Sequence, residues 1–286
     1  MMKHFILDSE PEPSGKIRFT GKDYHYLVRV RRLAPGEYFP GLLPSGKKVL
    51  IHVDSVDGNV LIGALELQKD SREEKNYANS AFPDIRQQLA DIPPLILFQA
   101  IPKGDKMDII VRQAAEGGLA EIVPFISEFS VPRPEKQSKA AVLSGGGTAC
   151  QSKVTRWKRI VKEARQQSGS AIATLVREIM QINEIFTYWE KLKEQYPGAL
   201  ALVLHQIPLE HGGLHGYLET RPELIVAAIG PEGGFSPHEL NRFMEAGFKP
   251  VTIGNNVLRT ETAAVYAAAA IRIVLQERNS WEKSRK

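Results

Sequence analysis

From residue 94 onward, short apolar runs alternate with segments of helical periodicity, and this alternation constrains the fold more than any other feature. An apolar run at 94–101 precedes a segment in which Met107, Ile110, Val111 and Ala114 recur at helical spacing. Further apolar runs follow at 121–126, 200–204, 224–229 and 250–253. Strands that alternate with helices form a mostly parallel sheet covered on both faces. The sequence therefore predicts an α/β domain over residues 93–286.

The first 72 residues have a different pattern, made of short β-rich runs between turn signals. The runs 49–53 and 60–65 flank Asp57-Gly-Asn59, a hairpin-like turn. We expect a small β-barrel here, with residues 23–32 as a helix that carries basic side chains. Residues 73–92 are polar and charged and are interpreted as a linker. Residues 132–153 are rich in proline and glycine and are interpreted as a surface insertion.

Charge is distributed unevenly along the chain. The formal net charge is only +4, but residues 16–48 and 153–165 contain far more basic than acidic side chains. Local basic patches are better evidence for a polyanionic partner than a small overall excess. Nucleic acid is therefore a candidate partner.

Several classes of protein are disfavoured by the composition. Cys150 is the only cysteine, which fits a reducing compartment. The N-terminus lacks the apolar run of a signal peptide, and no run approaches the roughly 20 apolar residues of a membrane helix. His211 and His215 are separated by two glycines, and the other histidines are scattered. We expect a cytoplasmic protein with no membrane partner and no metal.

The loop Gly230-Pro-Glu-Gly-Gly-Phe-Ser236 follows an apolar run and immediately precedes a predicted helix. Ser236 is a good N-cap, Pro237 suits the first helical position, and Glu239 completes a capping box. The helix should end near Ala246. Glycines before a helix let a ligand approach bare backbone. The loop matches neither common phosphate-binding fingerprint, which argues against a nucleoside triphosphate site.

A second loop, at 253–262, opens an alanine-rich helix. Thr260 or Thr262 can cap this helix, and Glu261 favours its positive end. Arg259 opposes the helix dipole, so its position suggests an anionic or carbonyl partner. Two such loops predict a site for a nucleotide-like ligand.

These motifs resemble the signature loops of the 16S rRNA uracil-N3 methyltransferases, which belong to the SPOUT class of S-adenosylmethionine-dependent RNA methyltransferases. The similarity includes Gly230-Pro-Glu-Gly-Gly and Val257-Leu-Arg-Thr-Glu-Thr-Ala263, with supporting blocks at 25–36, 104–107 and 157–169. It implies a PUA-like RNA-binding β-barrel, a C-terminal SPOUT α/β domain with a trefoil knot, and a homodimer.

The resemblance also implies where S-adenosyl-L-methionine binds. The predicted cofactor-binding residues are Leu204, His205, Ile229, Gly230, Pro231, Glu232, Gly233, Gly234, Ile253, Gly254, Val257, Leu258, Thr260 and Thr262.

The implied reaction is methylation of uridine N3 in 16S rRNA of the small ribosomal subunit. The predicted catalytic residues are Arg259, which stabilises the uracil anion, and Glu261, with Glu232 as an alternative base. The predicted RNA contacts are Arg29, Arg31, Arg32, Lys103, Lys106 and Arg156.

The chain departs from the family pattern at several positions that are usually basic in the family. Neutral residues occupy them: Gln113, Phe129, Ser170, Asn255 and Asn256. If these positions normally contact phosphates, RNA binding should be weaker and less dependent on salt.

Two other interpretations remain open at this point. The first is an RNA-binding protein of the same class with a different RNA target or without catalysis. The second is a nucleotide-using enzyme with an ordinary doubly wound sheet.

Overall fold

The computed structural model of the 286-residue chain describes residues 4–66, 92–130, 148–206 and 213–283. The described residues fall into two compact units. One contains residues 4–66 and 162–173, and the other contains 92–130, 148–161 and the described residues from 174 onward. The predicted linker lies outside the described residues apart from residue 92, as do His211 and residues 132–147 of the predicted insertion. For residues 148–153 the prediction of an insertion is wrong, because they form the start of a helix at Thr148–Ser168.

The first unit contains a five-stranded sheet of order β1-β3-β4-β5-β2. Its strands are β1 (Phe5–Ile6), β2 (Lys16–Phe19), β3 (Tyr38–Leu42), β4 (Lys48–Asp57) and β5 (Val60–Glu66). Strands β4 and β5 pair antiparallel up to Asp57 and Val60, which confirms the predicted hairpin. The described pairings end at β1 on one edge and β2 on the other. A closed PUA-like barrel therefore stays a prediction.

Alternating residues of β4 build the core of this unit. Val49, Ile51 and Val53 are buried together with Phe39 and Leu61, as expected for a strand with one face toward a core. The predicted helix at 23–32 is present as α1 (Gly21–Tyr24), which continues into a π-helical segment at His25–Val30.

The second unit contains a seven-stranded sheet of order β12-β10-β11-β6-β7-β8, with β9 also beside β7. Its strands are β6 (Leu95–Ala100), β7 (Glu121–Ile126), β8 (Leu175–Val176), β9 (Met180–Gln181), β10 (Ala199–Leu204), β11 (Leu224–Ile229) and β12 (Lys249–Val251). Every pairing is parallel, which confirms the predicted sheet. The other helices are α2 (Lys106–Glu116), α3 (Thr148–Ser168), α4 (Ile182–Gln195), α5 (Leu214–Leu218), α6 (Pro237–Glu245) and α7 (Thr260–Lys283).

Helices cover both faces of the parallel sheet, as predicted. Phe98 of β6 packs in one cluster with Trp189 of α4 and Phe243 of α6. The preceding residue, Leu97, lines an apolar groove with residues of α2 and α7. Because successive strand residues point to opposite faces, α4 and α6 lie on one face, and α2 and α7 lie on the other.

Candidate functional site

Three neighbouring strands of the parallel sheet end at the same edge. Because β12, β10 and β11 are adjacent and parallel, their carboxyl ends at Val251, Leu204 and Ile229 lie side by side. The loops that follow these strands enclose a cavity of about 270 Å³. Ligands of α/β sheets typically bind outside the carboxyl ends of the strands, so this cavity is the candidate site.

The cavity is lined by most of the residues that the sequence assigned to a cofactor. These are Leu204, His205, Ile229, Gly230, Pro231, Glu232, Gly233, Gly234, Ile253, Gly254, Leu258 and Thr260. Val257 and Thr262 are not among the lining residues, and the Val257 side chain is 70% exposed. Lining residues that sequence reasoning did not assign to the cofactor are Gln206, Phe235, Thr252, Asn256 and Ala263. Each is next to an assigned residue in the sequence, and this position alone could have indicated that it lines the cavity.

The glycine loop after β11 folds back tightly on itself. Gly234 has a φ of +71°, a left-handed conformation that favours glycine, and its N–H donates to the Pro231 carbonyl at 2.9 Å. A Cβ added to Gly230 would lie 3.0 Å from the carbonyl carbon of Gly234. The loop thus presents backbone toward the cavity where other residues would present side chains.

Helix α6 begins directly after this loop with the predicted capping box. The Ser236 hydroxyl accepts from the Glu239 N–H at 3.2 Å, and the Glu239 carboxylate accepts from the Ser236 N–H at 3.0 Å. Pro237 is the first helical residue, and the helix ends before Gly247. The prediction of this helix start and end is confirmed.

Thr260 joins the two predicted loops. Its hydroxyl donates to the Gly230 carbonyl at 2.7 Å and accepts from Nε2 of Gln99 at 3.0 Å. The prediction that Thr260 or Thr262 caps α7 is wrong, because α7 begins at Thr260. The Arg259 carbonyl instead accepts from the Ala263 N–H. Gln99 is fully buried and was not predicted, although a glutamine within an apolar run was a usable signal.

Glu232 anchors the glycine loop to the start of α2. Its carboxylate accepts from Lys106 Nζ at 2.5 Å and from the Lys103 N–H at 3.1 Å. Burial alone would raise the pKa of the Glu232 carboxyl. Hydrogen bonds from Lys106 and from backbone N–H groups, together with the Lys106 charge, outweigh burial and lower that pKa. Glu232 is therefore held ionised, and Lys106, predicted to contact RNA, is its partner.

The two predicted catalytic side chains differ in their surroundings. Arg259 is exposed, and no hydrogen bond or ion pair joins its guanidinium to any residue that the structure describes. Glu261 is half-buried, and its Oε2 is buried without a hydrogen-bond partner among the described residues. Both stand at the start of α7 beside Thr260, which lines the cavity. Within the described part of the chain, a cation and a carboxylate oxygen that have no partner thus lie next to the site.

The predicted RNA contacts in the first unit are not equivalent. Arg29 and Arg32 are exposed. Arg31 is half-buried, with its guanidinium carbon 5.8 Å from the centroid of the Phe39 ring. Arg29 and Arg32 are therefore better placed than Arg31 to meet a phosphate.

Acidic partners neutralise much of the second basic stretch. Arg156 forms an ion pair with the buried carboxylate of Asp108, which also accepts from the Trp157 indole at 3.1 Å. Lys158 lies 3.5 Å from Glu178, and Lys162 lies 2.8 Å from Asp8. The charge count along the sequence therefore overstates the free positive charge of α3.

Metal-binding clusters and membrane-spanning helices are both absent from the described parts of the chain. Those residues contain no group of three or more histidine, cysteine, aspartate or glutamate side chains placed to hold a metal ion. Among the same residues, no helix combines the length and apolarity needed to cross a membrane.

Comparisons of the sequence and of the fold with known proteins lead to the same family. Residues 90–272 match the family described as RNA methyltransferase domain. Ribosomal RNA small subunit methyltransferase E of Aquifex aeolicus is 31% identical, and the alignment covers 92% of this chain and 96% of that protein. The protein of the same name from Synechocystis sp. is 28% identical, with 96% and 79% covered.

A solved structure shares the fold over nearly its whole length. It is a ribosomal RNA small subunit methyltransferase E from Neisseria gonorrhoeae bound to S-adenosyl methionine. The TM-score is 0.69 at 23% identity, and the match covers 96% of this chain and 98% of that one.

Proposed function

The chain belongs to the RNA methyltransferase family, and we propose that it methylates N3 of a uridine in 16S rRNA of the small ribosomal subunit, with S-adenosylmethionine as methyl donor. The observation that carries this proposal is the cavity at the three strand ends, with Arg259 at its margin. The names of the relatives from Aquifex aeolicus and Synechocystis sp. support the ribosomal substrate.

The residues around the cavity suit this cofactor. Apolar side chains of Leu204, Ile229 and Leu258 offer walls for a flat purine, and the glycine loop offers backbone donors and acceptors for its polar groups. A side chain at Gly230 would press on the backbone of Gly234, at 3.0 Å from its carbonyl carbon, and would disturb this loop. When bound, S-adenosylmethionine would supply the methyl group of its sulfonium: a nucleophile forms a bond to the methyl carbon as the bond from that carbon to sulfur breaks, and S-adenosylhomocysteine leaves.

Arg259 is assigned to charge stabilisation. N3 of uracil is a weak acid and becomes a nucleophile only when it loses its proton, which leaves negative charge shared with the neighbouring carbonyl oxygens. The guanidinium of Arg259 is exposed and has no partner among the described residues. A charge held ready for a developing anion is worth about 3 kcal/mol in comparable sites.

Glu261 is a better candidate for the proton acceptor than Glu232. The Glu232 carboxylate already accepts from Lys106 and from the Lys103 N–H, and its lowered pKa makes it a weaker base. Glu261 has a carboxylate oxygen without a partner in the described part of the chain, next to Thr260 of the cavity wall. A general base must be within reach of the proton that it removes.

For the architecture we propose a PUA-like RNA-binding barrel at 1–72, a linker at 73–92 and a SPOUT domain with a trefoil knot at 93–286. Exposed Arg29 and Arg32 support RNA binding by the first of these. We also propose a homodimer. Tyr266 and Ile273 of α7, which are 55% and 51% exposed, support an apolar contact surface on that helix.

The test is methyl transfer from labelled S-adenosylmethionine to small ribosomal subunits that lack their modifications, followed by nucleoside analysis. The proposal expects label in 3-methyluridine from the wild-type protein and almost none from Arg259→Ala. Label in another nucleoside would refute the N3 assignment. Cofactor binding without transfer would favour an RNA-binding role or a different RNA target.

A further inference from the structure

Phe129 is an exposed aromatic side chain beside the candidate site. It is 44% exposed, although full burial of a phenyl ring is normally favourable. A Cβ added to Gly233 would lie 3.1 Å from Cβ and 3.4 Å from Cγ of Phe129. The side chain therefore packs against the backbone of the glycine loop that lines the cavity, and the rest of it faces solvent.

The turn that carries Phe129 is tightly hydrogen-bonded. The Ser127 N–H donates to the Ser130 hydroxyl at 3.1 Å, and the Ser130 N–H donates to the Ser127 carbonyl at 3.1 Å. Both serines are buried, at 4% and 2% exposure. The two ends of the turn are thus fixed in the protein while the aromatic side chain between them is exposed.

A buried carboxylate ties this turn to the glycine loop. Glu239, which is 3% exposed, accepts from the Glu128 N–H at 2.7 Å through Oε1 and from the Ser236 N–H at 3.0 Å through Oε2. The backbone that carries Phe129 is therefore held in a defined position relative to the glycine loop.

We propose that Phe129 is a stacking platform for a nucleobase of the RNA substrate, and this assignment rests on the proposed function. Methyl transfer is proposed to take place at the cavity that Gly233 lines, and Phe129 lies directly against Gly233. An exposed aromatic side chain binds a flat nucleobase by stacking, whatever the base. Because the turn is already fixed, stacking on Phe129 does not require the backbone to be ordered, which lowers the entropic cost of binding.

Binding measurements test the stacking directly. Wild-type protein, Phe129→Leu and Phe129→Tyr are compared for affinity toward a short fluorescent oligouridylate and toward an abasic strand of the same length, with S-adenosylhomocysteine present. Leucine keeps the apolar volume without the ring, and tyrosine keeps the ring. We expect Phe129→Leu to weaken oligouridylate binding by about fivefold or more and Phe129→Tyr to bind like wild type. All three should bind the abasic strand equally.

Other results would overturn the proposal. These are absence of oligouridylate binding by the wild type, equal binding by Phe129→Leu, an equal loss on the abasic strand, or weakened cofactor affinity in place of weakened RNA affinity. Leu175→Ala, which removes another exposed apolar side chain of the same unit, is the control. Melting temperature and oligomeric state of Phe129→Leu should match the wild type, and a changed oligomeric state would assign Phe129 to a subunit contact.

Assays on unmodified small subunits separate this proposal from the proposed function. If the wild type transfers no methyl group to uridine, the proposed function fails, while the oligouridylate comparison still decides the role of Phe129. If transfer occurs, a raised KM for Phe129→Leu with unchanged kcat indicates a flanking base, and a lowered kcat indicates the reacting base. Unchanged values of both would overturn the stacking role.

Discussion

The Thr260 hydroxyl donates a 2.7 Å hydrogen bond to the Gly230 carbonyl. This contact joins the start of α7 to the glycine loop after β11, two segments separated by 30 residues in sequence. The buried amide of Gln99 donates to the same hydroxyl. One hydroxyl thus links β6 to two elements that line the candidate site.

Thr260→Val should destabilise the protein and loosen the glycine loop. The substitution leaves the Gly230 carbonyl and a donor of the buried Gln99 without their partner, which costs about 1–3 kcal/mol. Urea unfolding measures the loss of stability, and calorimetric titration measures the expected fall in S-adenosylmethionine affinity. Thr260→Ser should retain most of both. Thr262→Val removes a hydroxyl from the same helical turn and is the control, and equal effects of the two valine variants would contradict the role of Thr260.

Gly230→Ala should weaken cofactor binding because the added methyl group would lie 3.0 Å from Gly234 backbone. The loop must shift, since backbone atoms there cannot rotate away as a side chain can. Gly216→Ala is the matched control, because a Cβ at Gly216 meets nothing within 4 Å. We expect at least a tenfold difference between the two dissociation constants, roughly 1.4 kcal/mol. Similar constants would show that the tight loop is not needed for binding.

Arg259→Ala should reduce the rate of methyl transfer about 100-fold or more, the effect of removing one preorganised charge from such a site. The fold and the cofactor affinity should be retained, since Arg259 is exposed. Single-turnover transfer from labelled S-adenosylmethionine measures the rate. Arg112→Ala, which removes an exposed arginine from α2, should transfer at the wild-type rate. Turnover of Arg259→Ala close to that of Arg112→Ala would eliminate the proposed role.

Because Glu232 forms an ion pair with Lys106, the difference in unfolding free energy between the wild type and Glu232→Gln should depend on pH. The pKa of Glu232 is lowered below its ordinary 4.5 in the folded protein. The ionised Glu232 carboxylate therefore contributes to the free energy of unfolding above about pH 4.5. This contribution is lost as the pH falls through the lowered pKa of Glu232 in the folded protein. Since the pair is partly exposed, we expect the wild type to exceed Glu232→Gln by less than about 1 kcal/mol at neutral pH.

Urea unfolding at neutral pH and at several pH values below 4.5 checks this prediction. Glu178→Gln is the control, because the carboxylate of Glu178 is 67% exposed and its pair with Lys158 is long at 3.5 Å. That substitution should have almost no effect at any pH. If the stability advantage of the wild type over Glu232→Gln grew as the pH fell, the prediction would be wrong.

Arg29 and Arg156 should affect RNA binding in different ways. Arg29→Gln should weaken binding to small subunits and lower the slope of log affinity against log salt by about 0.7 to 0.9, as expected for one lost phosphate contact. Arg156→Gln should leave the slope nearly unchanged and reduce stability, because it removes the partner of the buried Asp108 carboxylate. Binding isotherms over a range of salt concentrations, with urea unfolding, separate the two effects. If Arg156→Gln lowered the slope of log affinity against log salt, Arg156 would be a phosphate contact, as the sequence predicted.

Features that depend on neighbouring residues were predictable from the chain alone. The capping box of α6 needs only Ser236, Pro237 and Glu239, which lie within four consecutive residues, and the structure contains it. The alternation of apolar runs and helical segments predicted the parallel sheet for the same reason. Parallel strands then place the loops after β10, β11 and β12 at one edge, so most of the cavity was predictable as well.

Features that depend on distant residues were not predictable in this way. The sequence predicted that Lys106 and Arg156 contact RNA. In the folded protein, Lys106 forms an ion pair with Glu232 and Arg156 forms one with Asp108. Lys106 and Glu232 are 126 residues apart, so no local pattern relates them. The sequence predicted that Thr260 caps a helix. Its partner, the Gly230 carbonyl, lies in another loop, so neighbouring residues could not indicate this contact.

The order of residues thus predicted the alternation of strands and helices, the sheet type and the loops that form the candidate site, because short-range sterics, capping and hydrophobic periodicity act within a few positions of the chain. Which charges are neutralised, which hydroxyl joins the two loops, and which aromatic side chain remains exposed beside them followed from the fold. Hydrogen bonds and ion pairs form only between atoms within a few ångströms, and folding alone brings these groups to that distance.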